Sequence, residues 1–438
     1  MRTCAKGRWP LWSAGSRYGR RRRQNIDQGV ISTPMEHSAL AGIRVLDLTH
    51  HIAGPCATKL LADYGADVVK VERPEGDPAR GIGPFSQDLP GPERSGSFLD
   101  LNTNKRSITL NLKSSLGVEI AKELAREAEI VVESFKPGTM ERLGLGYDVL
   151  RESNPLVTLT SISNYGQTGP YRDFLGTDMV LYAAGGPMWG NAPLGRYPLR
   201  LPASTTQFHA GYMAAVATMI GYYGARYNGI GQHIDSSIFE SEAGSVDRRL
   251  TGLLRYQYQG IVIERTVPRG QGFPCGVFAC KDGYVNIWGG MQFYPNSVRM
   301  MGMPDLANDA RFNTREQQAN EDRRSEFEAE FFYPWVLEKT KQEVLDLARK
   351  NGVLCGALFT VQDLIESPHS KARNFFVDVT HAETGTAQYP GPLFKMARTP
   401  SEGWRAAPLL GEHNEDVYCR QLGFSKQDLV HMRQAGVI

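Results

Sequence analysis

Cysteine can serve as a nucleophile or as a metal ligand, and this chain has six cysteines. Only Cys275 and Cys280 lie close together in the sequence. A zinc site would need a second close pair or a His-x3-His partner, and the sequence supplies neither. We therefore predict reduced thiols, no metal site and a reducing cellular compartment.

Carboxylates that could act as nucleophiles or proton-transfer groups are missing from a long central segment. No aspartate or glutamate occurs between Met179 and Ile234, and Asp178 is the nearest acid upstream. His209 lies within this segment and is the other candidate for acid–base chemistry. Catalysis by this part of the chain would therefore depend on Asp178 or His209.

The composition argues against several classes of protein. At 438 residues the chain exceeds what one hydrophobic core usually supports, so we expect two domains. The formal net charge is only +2, which gives no indication of a nucleic-acid-binding face. No apolar run approaches the roughly 18 residues of a membrane span. The composition predicts a cytoplasmic protein without nucleic acid or membrane partners.

The N-terminus differs from the rest of the chain. Its first 34 residues contain seven arginines and no acidic residue before Asp27. This composition is typical of a mitochondrial transit peptide, but it also fits upstream sequence read from a wrong start codon. Met35 opens the first patterned segment, so we prefer translation from Met35, with a mitochondrial matrix location as the alternative. In either case we expect residues 1–34 to be disordered.

The elements that must position any site begin with an α/β pattern. Ile43–Leu48 and Ala66–Glu72 are β-rich runs. The apolar helical stretch between them is followed by Gly65, at the place of a helix C-cap. Together they form a βαβ unit, whose strands should be parallel with a right-handed crossover.

A second unit repeats this pattern. Ser107–Leu112 and Ile130–Phe135 are predicted strands, and apolar residues recur from Leu116 to Leu124 at the spacing of an amphipathic helix. With a further strand over 156–162, the two units predict a Rossmann-like, doubly wound parallel sheet. The G-x-G-x-x-G fingerprint is absent after the first strand, so we expect no standard dinucleotide site.

Beyond Gly231 the pattern changes to short strands and polar helices, which indicates a second, smaller domain. Lys281–Gly283 has the composition of a hairpin turn, and Ser425 with Asp428 predicts a capping box before a last helix. The predicted organisation is an N-terminal extension (1–34), a large Rossmann-like domain (35–240), a linker (241–264), a small domain (265–385) and a C-terminal return to the large domain (386–438).

Several strings, taken together and in order, resemble the family III CoA-transferases, which include formyl-CoA, carnitine and benzylsuccinate CoA-transferases. The match extends from about Leu40 to the last residue with consistent spacing. The resemblance implies two chains threaded through each other as interlocked rings. The strings are Val45–His50, Ala53–Pro55, Leu61–Glu72, Asn104–Ser107, Val132–Gly138, Gly144–Tyr147, Tyr165–Pro170, Gly229–Gln232 and Pro408–His413.

The resemblance also implies chemistry. An aspartate of the family attacks an acyl-CoA thioester, and CoA then passes through an enzyme-bound thioester to an acceptor acid. A CoA thioester would therefore be a substrate, and no cofactor would be bound permanently. His50 and Ala53 lie in the turn after the first strand, where backbone N–H groups can meet phosphate. By motif position, the CoA-binding residues are His50, Ala53, Arg73, Leu110, Lys113 and Arg142.

The family's nucleophile is missing from this sequence. In the family it lies between a Gly-Gly pair, here Gly185–Gly186, and a Gly-x-Gly-Gln string, here Gly229–Gln232. Counting back from the end of that string, with Gly211 on its family glycine, places Gln207 at the nucleophile position. A glutamine amide is a poor nucleophile, and losing a covalent nucleophile costs on the order of a millionfold in rate.

Three interpretations remain. In the preferred one, the chain is the nucleophile-free subunit of a heteromer, and a homologous subunit supplies the aspartate. The complex would move CoA from a donor such as succinyl-CoA to a carboxylic acid. Alternatively, the chain is a stand-alone CoA-ester enzyme using another residue such as Asp178, or a non-catalytic CoA-thioester-binding protein.

Overall fold

The computed structural model describes residues 38–192, 195–245, 247–262, 272–401 and 403–438. The predicted N-terminal extension, 1–34, lies outside the described residues. Up to residue 163 the elements are β1 (Arg44–Leu48), α1 (Ala53–Asp63), β2 (Asp67–Glu72), α2 (Gly96–Leu101), β3 (Arg106–Thr109), α3 (Ser115–Glu127), β4 (Ile130–Glu133), α4 (Thr139–Arg142), α5 (Tyr147–Ser153) and β5 (Thr158–Ser163). They are followed by α6 (Asp178–Ala184), α7 (Pro187–Gly190), α8 (Thr205–Asn228), β6 (Gln232–Ser237), α9 (Ile238–Ser245) and α10 (Asp247–Gln259).

Strands β1 to β6 form one parallel sheet in the order β3-β2-β1-β4-β5-β6. In register, Val45 of β1 lies between Val68 of β2 and Ile130 of β4. The chain adds strands outward from β1 in one direction and then in the other, so the strand order reverses between β1 and β4. The predicted doubly wound parallel sheet is confirmed.

Alternate residues of the central strands pack into two hydrophobic clusters, one on each face of the sheet. Val45 and Val132 face the cluster that includes residues of α1 and α8. Leu46 and Val131 face the other, which includes α3 and the C-terminal segment. This alternation follows from the two-residue period of a strand, and burial on both faces is typical of a parallel sheet.

The predicted helix between β3 and β4 is confirmed as α3, with one difference. Its inward face carries Ile120 and Leu124, as the spacing predicts, but Leu116 is exposed. Gly117 packs so closely that an added Cβ would lie 2.1 Å from the carbonyl oxygen of Asn111. The close approach at this glycine leaves the preceding leucine on the outside.

The later chain contains β7 (Cys275–Cys280), β8 (Gly283–Trp288), α11 (Tyr294–Met300), α12 (Arg315–Ala319), α13 (Glu321–Phe327), α14 (Tyr333–Val336), α15 (Lys341–Asn351), β9 (Leu354–Ala357), α16 (Val361–Glu366), α17 (Pro368–Ala372), β10 (Phe376–His381), β11 (Gly385–Pro390) and α18 (Lys426–Gln434). Strands β7, β8 and β9 form an antiparallel sheet with a separate, aromatic-rich core. The hairpin turn predicted at Lys281–Gly283 joins β7 to β8, and the capping box of Ser425 and Asp428 opens α18.

The predicted linker, 241–264, contains α10 and most of α9. The proposed domain boundaries therefore stay a prediction. Within the part of the chain that the structure describes, no helix combines the length and apolar character needed to cross a membrane.

Candidate active site

Two turns meet at the carboxyl edge of the sheet, where the strand order reverses between β1 and β4. Ligands of doubly wound sheets bind at such a point. The backbone N–H of His50, after β1, donates to the hydroxyl of Ser134, after β4, at 2.9 Å. The rings of His50 and Phe135 lie 5.4 Å apart. These contacts tie the turns into one site, which we call the switch-point site (49–53 and 134–138).

Buried charged residues stabilise the first of these turns, residues 49–53. Lys70 forms a 2.9 Å ion pair with Asp77, both side chains being fully buried. The Lys70 ammonium also donates to the Thr49 carbonyl at 3.0 Å, and Asp77 Oδ1 accepts the N–H of His51 at 3.2 Å. His51 adopts a positive φ of 65°, which is uncommon for a residue with a side chain. The turn is thus fixed by charge-assisted hydrogen bonds.

A second buried pair supports the same turn. Lys105 lies 3.1 Å from Asp47, which also accepts the Thr49 N–H at 2.9 Å. Burial alone would raise the pKa of Asp47, but the ammonium groups of Lys105 and Lys70 hold it below its ordinary value. Burial lowers the pKa of Lys105 to about 8 despite the adjacent carboxylate. At neutral pH both pairs are therefore charged.

Burial lowers the pKa of His50 to about 4, with Lys70 contributing in the same direction. The imidazole is therefore neutral at pH 7 and adds no charge to the site. The N–H groups of Thr49, His50 and His51 already donate to Asp47, Ser134 and Asp77, so what the turn offers an anionic ligand is the start of α1 at Ala53. The roles of His50 and Ala53 in CoA binding stay predictions from the motif position.

The other predicted CoA-binding residues also follow strands at the carboxyl edge. Arg73 follows β2 and Lys113 follows β3, and both are exposed. Arg142 is exposed on α4, with its guanidinium 2.8 Å from the Thr139 hydroxyl. Leu110 differs because its side chain is only 1% exposed and belongs to the core. Any contact of Leu110 with a ligand would therefore come from its backbone.

The structure adds residues that sequence reasoning did not select. Ser134 and Phe135 form part of the site, and buried Glu133 accepts the N–H of Phe135 at 2.7 Å. Lys70 and Asp77 position the first turn. Glu133, Ser134 and Phe135 lie within one of the strings that carry the family resemblance, which was the available signal. Lys70 and Asp77 had none, because a lone charge in a sequence usually indicates a solvated residue.

Gln207, at the predicted nucleophile position, lies in the first turn of α8. Its backbone N–H donates to Asp178 Oδ1 at 3.2 Å, across 29 residues of sequence. Burial raises the pKa of Asp178, while the N–H groups of Gln207 and Thr206 act in the opposite direction. The structure therefore brings Gln207, at the predicted nucleophile position, together with Asp178, the alternative candidate nucleophile. The Asp178 carboxylate accepts hydrogen bonds from N–H groups at the start of α8.

His209, the other candidate for proton transfer, lies two residues further along α8. Its Nδ1 is 2.9 Å from Glu242 Oε1, and Glu242 is buried on α9. Gly185 packs directly on Glu242, since an added Cβ would lie 2.5 Å from the Glu242 Cβ. Gly185, the first residue of the Gly-Gly pair, thus leaves room for the Glu242 carboxylate, which orients His209.

The start of α8 is also packed against the switch-point site. At Gly211 an added Cβ would lie 2.7 Å from both the carbonyl oxygen of Ala53 and the Cβ of Cys56. Helices α1 and α8 can approach this closely only because residue 211 has no side chain. The nucleophile position is therefore held next to the helix that opens the predicted CoA turn.

Comparison with known proteins identifies the family. Residues 40–414 match the family model "CoA-transferase family III". The chain is 33% identical over 419 residues to formyl-CoA:oxalate CoA-transferase of Streptomyces coelicolor, covering 92% of this chain and 100% of that protein. It is 30% identical over 405 residues to succinyl-CoA–D-citramalate CoA-transferase of Chloroflexus aurantiacus, covering 91% and 98%.

Solved structures agree with this assignment. A CaiB/BaiF family protein from Brucella suis superposes with a TM-score of 0.77 at 27% identity, covering 88% of this chain and 99% of that one. Fold and sequence therefore point to the same group, and the family predicted from the motif strings is confirmed. The chain belongs to CoA-transferase family III.

Proposed function

We propose that this chain is the nucleophile-free subunit of a family III CoA-transferase that moves CoA from an acyl-CoA donor to a carboxylic acid. The observation that carries the proposal is the glutamine at position 207 beside an otherwise built site. CoA-transferases use CoA thioesters as substrates. The names of two relatives specify formyl-CoA with oxalate and succinyl-CoA with D-citramalate, which supports an acyl-CoA donor such as succinyl-CoA and a small acid as acceptor.

In the proposed reaction, a carboxylate attacks the thioester carbonyl and releases CoA thiolate, leaving a mixed anhydride. The thiolate then attacks the enzyme's acyl carbon, which frees the donor acid and leaves an enzyme–CoA thioester. The acceptor acid attacks this enzyme–CoA thioester, releases CoA thiolate and forms a second mixed anhydride. The thiolate then attacks the acyl carbon of the acceptor, which leaves as its CoA thioester and restores the enzyme carboxylate. Each step needs an enzyme carboxylate, which the Gln207 amide cannot replace. A homologous subunit carrying an aspartate would supply it.

CoA would bind at the switch-point site with its phosphates near the start of α1, where helix N–H groups have no side-chain cap. His50, Ala53, Arg73, Lys113 and Arg142 are the proposed contacts, together with the backbone of Leu110. Three of these residues are exposed cations at one edge of the sheet, which suits a ligand with several phosphate charges. No permanently bound cofactor is part of the proposal.

The exposed face of α8 supports an assembly of two or more chains, as interlocked rings would require. Four large apolar side chains on this helix are more than half exposed, namely Val216, Ile220, Tyr223 and Tyr227. Apolar surface of this extent on one helix usually marks an interface. The β7-β8-β9 sheet, with its separate core, is the proposed smaller domain.

A second candidate function has one specific observation in its favour. Asp178 reaches the backbone of Gln207, so its carboxylate lies close to where the family places its nucleophile. In this alternative the chain acts alone, with Asp178 attacking the thioester. A third possibility, binding of CoA thioesters without turnover, needs neither Asp178 nor a partner. A cytoplasmic location is proposed for all three, and a mitochondrial one would require a genuine transit peptide in residues 1–34.

The test compares the purified chain with the chain mixed with an aspartate-bearing homologue from the same source. We expect CoA transfer from succinyl-CoA only in the mixture, and a hetero-oligomer by native mass spectrometry. Transfer by the chain alone, with a CoA adduct on the peptide that holds Asp178, would support the second candidate instead. CoA binding without transfer in any mixture would support the third.

A further inference from the structure

Glu133 is a buried carboxylate that the proposed reaction does not use. It is the last residue of β4, only 2% exposed, and lies directly below the second turn of the switch-point site. Its Oε2 accepts the N–H of Phe135, whose ring packs on His50. The side chain therefore holds the turn that the proposed CoA site depends on.

Polar side chains lie between Glu133 and the protein surface. Ser161 of β5 is beside Glu133 in register, and its hydroxyl is 2.8 Å from His233 Nε2. His233 is exposed on the edge strand β6, with its ring stacked on Tyr147 at 5.8 Å.

The charges around Glu133 come from two elements. Glu141 on α4 and Asp235 on β6 are both carboxylates, and His233 is the third titratable group. On the other side, β1 places apolar Leu48 beside Glu133 in register. Burial raises the pKa of Glu133 to about 7, and the two carboxylates act in the same direction, against the Ser161 and Phe135 donors. Among the described residues, the charges that act most strongly on Glu133 are therefore both negative.

We propose that Glu133 is a positioning residue whose protonation state controls CoA binding at the switch-point site. This inference rests on the proposed CoA role of that site. CoA brings phosphate charges to the edge of the sheet, which disfavours an ionised carboxylate beneath the turn. Binding therefore favours the neutral acid, so CoA should raise the pKa of Glu133 and be bound together with a proton. Affinity is highest below pH 7 and falls as the pH rises through the pKa of the free protein.

The size of the effect follows from linkage. If CoA raises the pKa of Glu133 by one unit, the protonated form binds CoA tenfold more tightly than the ionised form. Calorimetry with CoA at pH 6 and at pH 8.5 should then show about tenfold weaker binding at the higher pH. The phosphate monoester of CoA ionises near pH 6 itself, but it does so equally in every variant.

Glu133→Gln keeps the shape and the acceptor for Phe135 but cannot ionise. We expect this variant to lose the roughly tenfold change that Glu133 contributes, whereas changes from the CoA phosphate and from Lys105, whose pKa is about 8, should be the same in variant and parent. The control is Glu141→Gln, which removes a neighbouring charge. It should keep the pH dependence but shift its midpoint to lower pH, because Glu133 then ionises more easily. A general structural defect would weaken binding at both pH values instead.

Infrared difference spectra of the ligand-free chain between pH 5 and pH 9 give a readout that does not depend on CoA. The unmutated chain should show the band of a buried protonated carboxylic acid near neutral pH, and Glu133→Gln should lack it. If the two chains have the same band, or the same pH dependence of CoA affinity, the inference is wrong. If the band is present but no CoA binds to either chain at any pH, both the inference and the proposed CoA site are wrong, whereas the ionisation of Glu133 is established.

Discussion

Asp77→Asn tests whether buried charge builds the switch-point site. The substitution keeps an oxygen that can accept the N–H of His51, but it leaves the Lys70 ammonium without its 2.9 Å partner. Removing one member of a buried ion pair costs about 3–5 kcal/mol of folding stability. Lys70 keeps the Thr49 carbonyl and the charge of Asp47 nearby, so we expect the lower end, about 3 kcal/mol.

The loss should depend on pH in a defined direction. Burial opposes the charged form of Lys70, but Asp77 and Asp47 raise its pKa above the ordinary value. In the parent chain the stabilisation from the charged Lys70 is therefore fully present below the pKa that Lys70 has in the unfolded state. It is lost only at strongly alkaline pH. Without Asp77, the pKa of Lys70 in the folded state should fall below its value in the unfolded state. The unfolded state then binds the proton more tightly, so the stability of the variant rises with pH. The difference between variant and parent should shrink from pH 7 to pH 9.

Urea unfolding at both pH values measures this difference, and hydrogen exchange of peptides covering 67–81 locates it. The matched control is Asp346→Asn, which breaks an exposed pair with Arg349 and should cost less than about 0.5 kcal/mol. A loss below about 1 kcal/mol for Asp77→Asn, or a loss that does not change with pH, would mean that Asp77 does not hold the Lys70 charge.

Two further substitutions test the geometry and the ligand. Gly211→Ala places a Cβ 2.7 Å from the Ala53 carbonyl and should lower stability by about 1–3 kcal/mol, whereas Gly244→Ala, with open space, should be neutral or slightly stabilising in thermal unfolding. Arg73→Ala should weaken CoA binding about tenfold in calorimetry, since a charge-assisted phosphate contact contributes about 1.5–3 kcal/mol. Arg299→Ala, an exposed charge on α11, should leave the affinity unchanged, and an equal loss in both would indicate nonspecific attraction.

Local patterns in the sequence predict much of the fold. Alternating apolar residues, glycines at helix ends and the Ser425 capping box are short-range signals, and the strands and caps they predict are present. Leu116 is the exception, because its exposure depends on how closely Gly117 approaches Asn111. Such an approach is a tertiary contact, so helical spacing alone does not report it.

The sequence predicts those parts of the site in which a turn directly follows a strand. It does not predict contacts between residues that are distant in the sequence or whose burial has no local signal. The turn with His50 follows directly from the strand β1. The pairing of Lys70 with Asp77 does not, because a lysine between valines has no sequence mark of burial. The contact of Asp178 with Gln207 joins the first turns of α6 and α8, 29 residues apart, and depends on how the two helices are placed.

That last contact sharpens the test of the nucleophile position. Gln207→Asp would bring a second carboxylate next to Asp178, whose pKa burial already raises. Two adjacent carboxylates do not ionise together easily, so one pKa of the pair should rise further. Because only an ionised carboxylate attacks a thioester, the covalent CoA adduct on the peptide holding position 207 should increase from pH 5 to pH 8 in mass spectra.

Adding Asp178→Asn to this variant removes the second charge. The adduct should then form at lower pH, provided the start of α8 keeps its position without the Asp178 carboxylate. The same double substitution separates the two candidate functions, because a nucleophile at Asp178 cannot operate in it. An adduct that survives in the double variant places the reacting carboxylate at position 207 and supports the loss of that group as the reason this chain needs a partner. An adduct that requires Asp178, with or without the change at Gln207, would make this chain a stand-alone transferase.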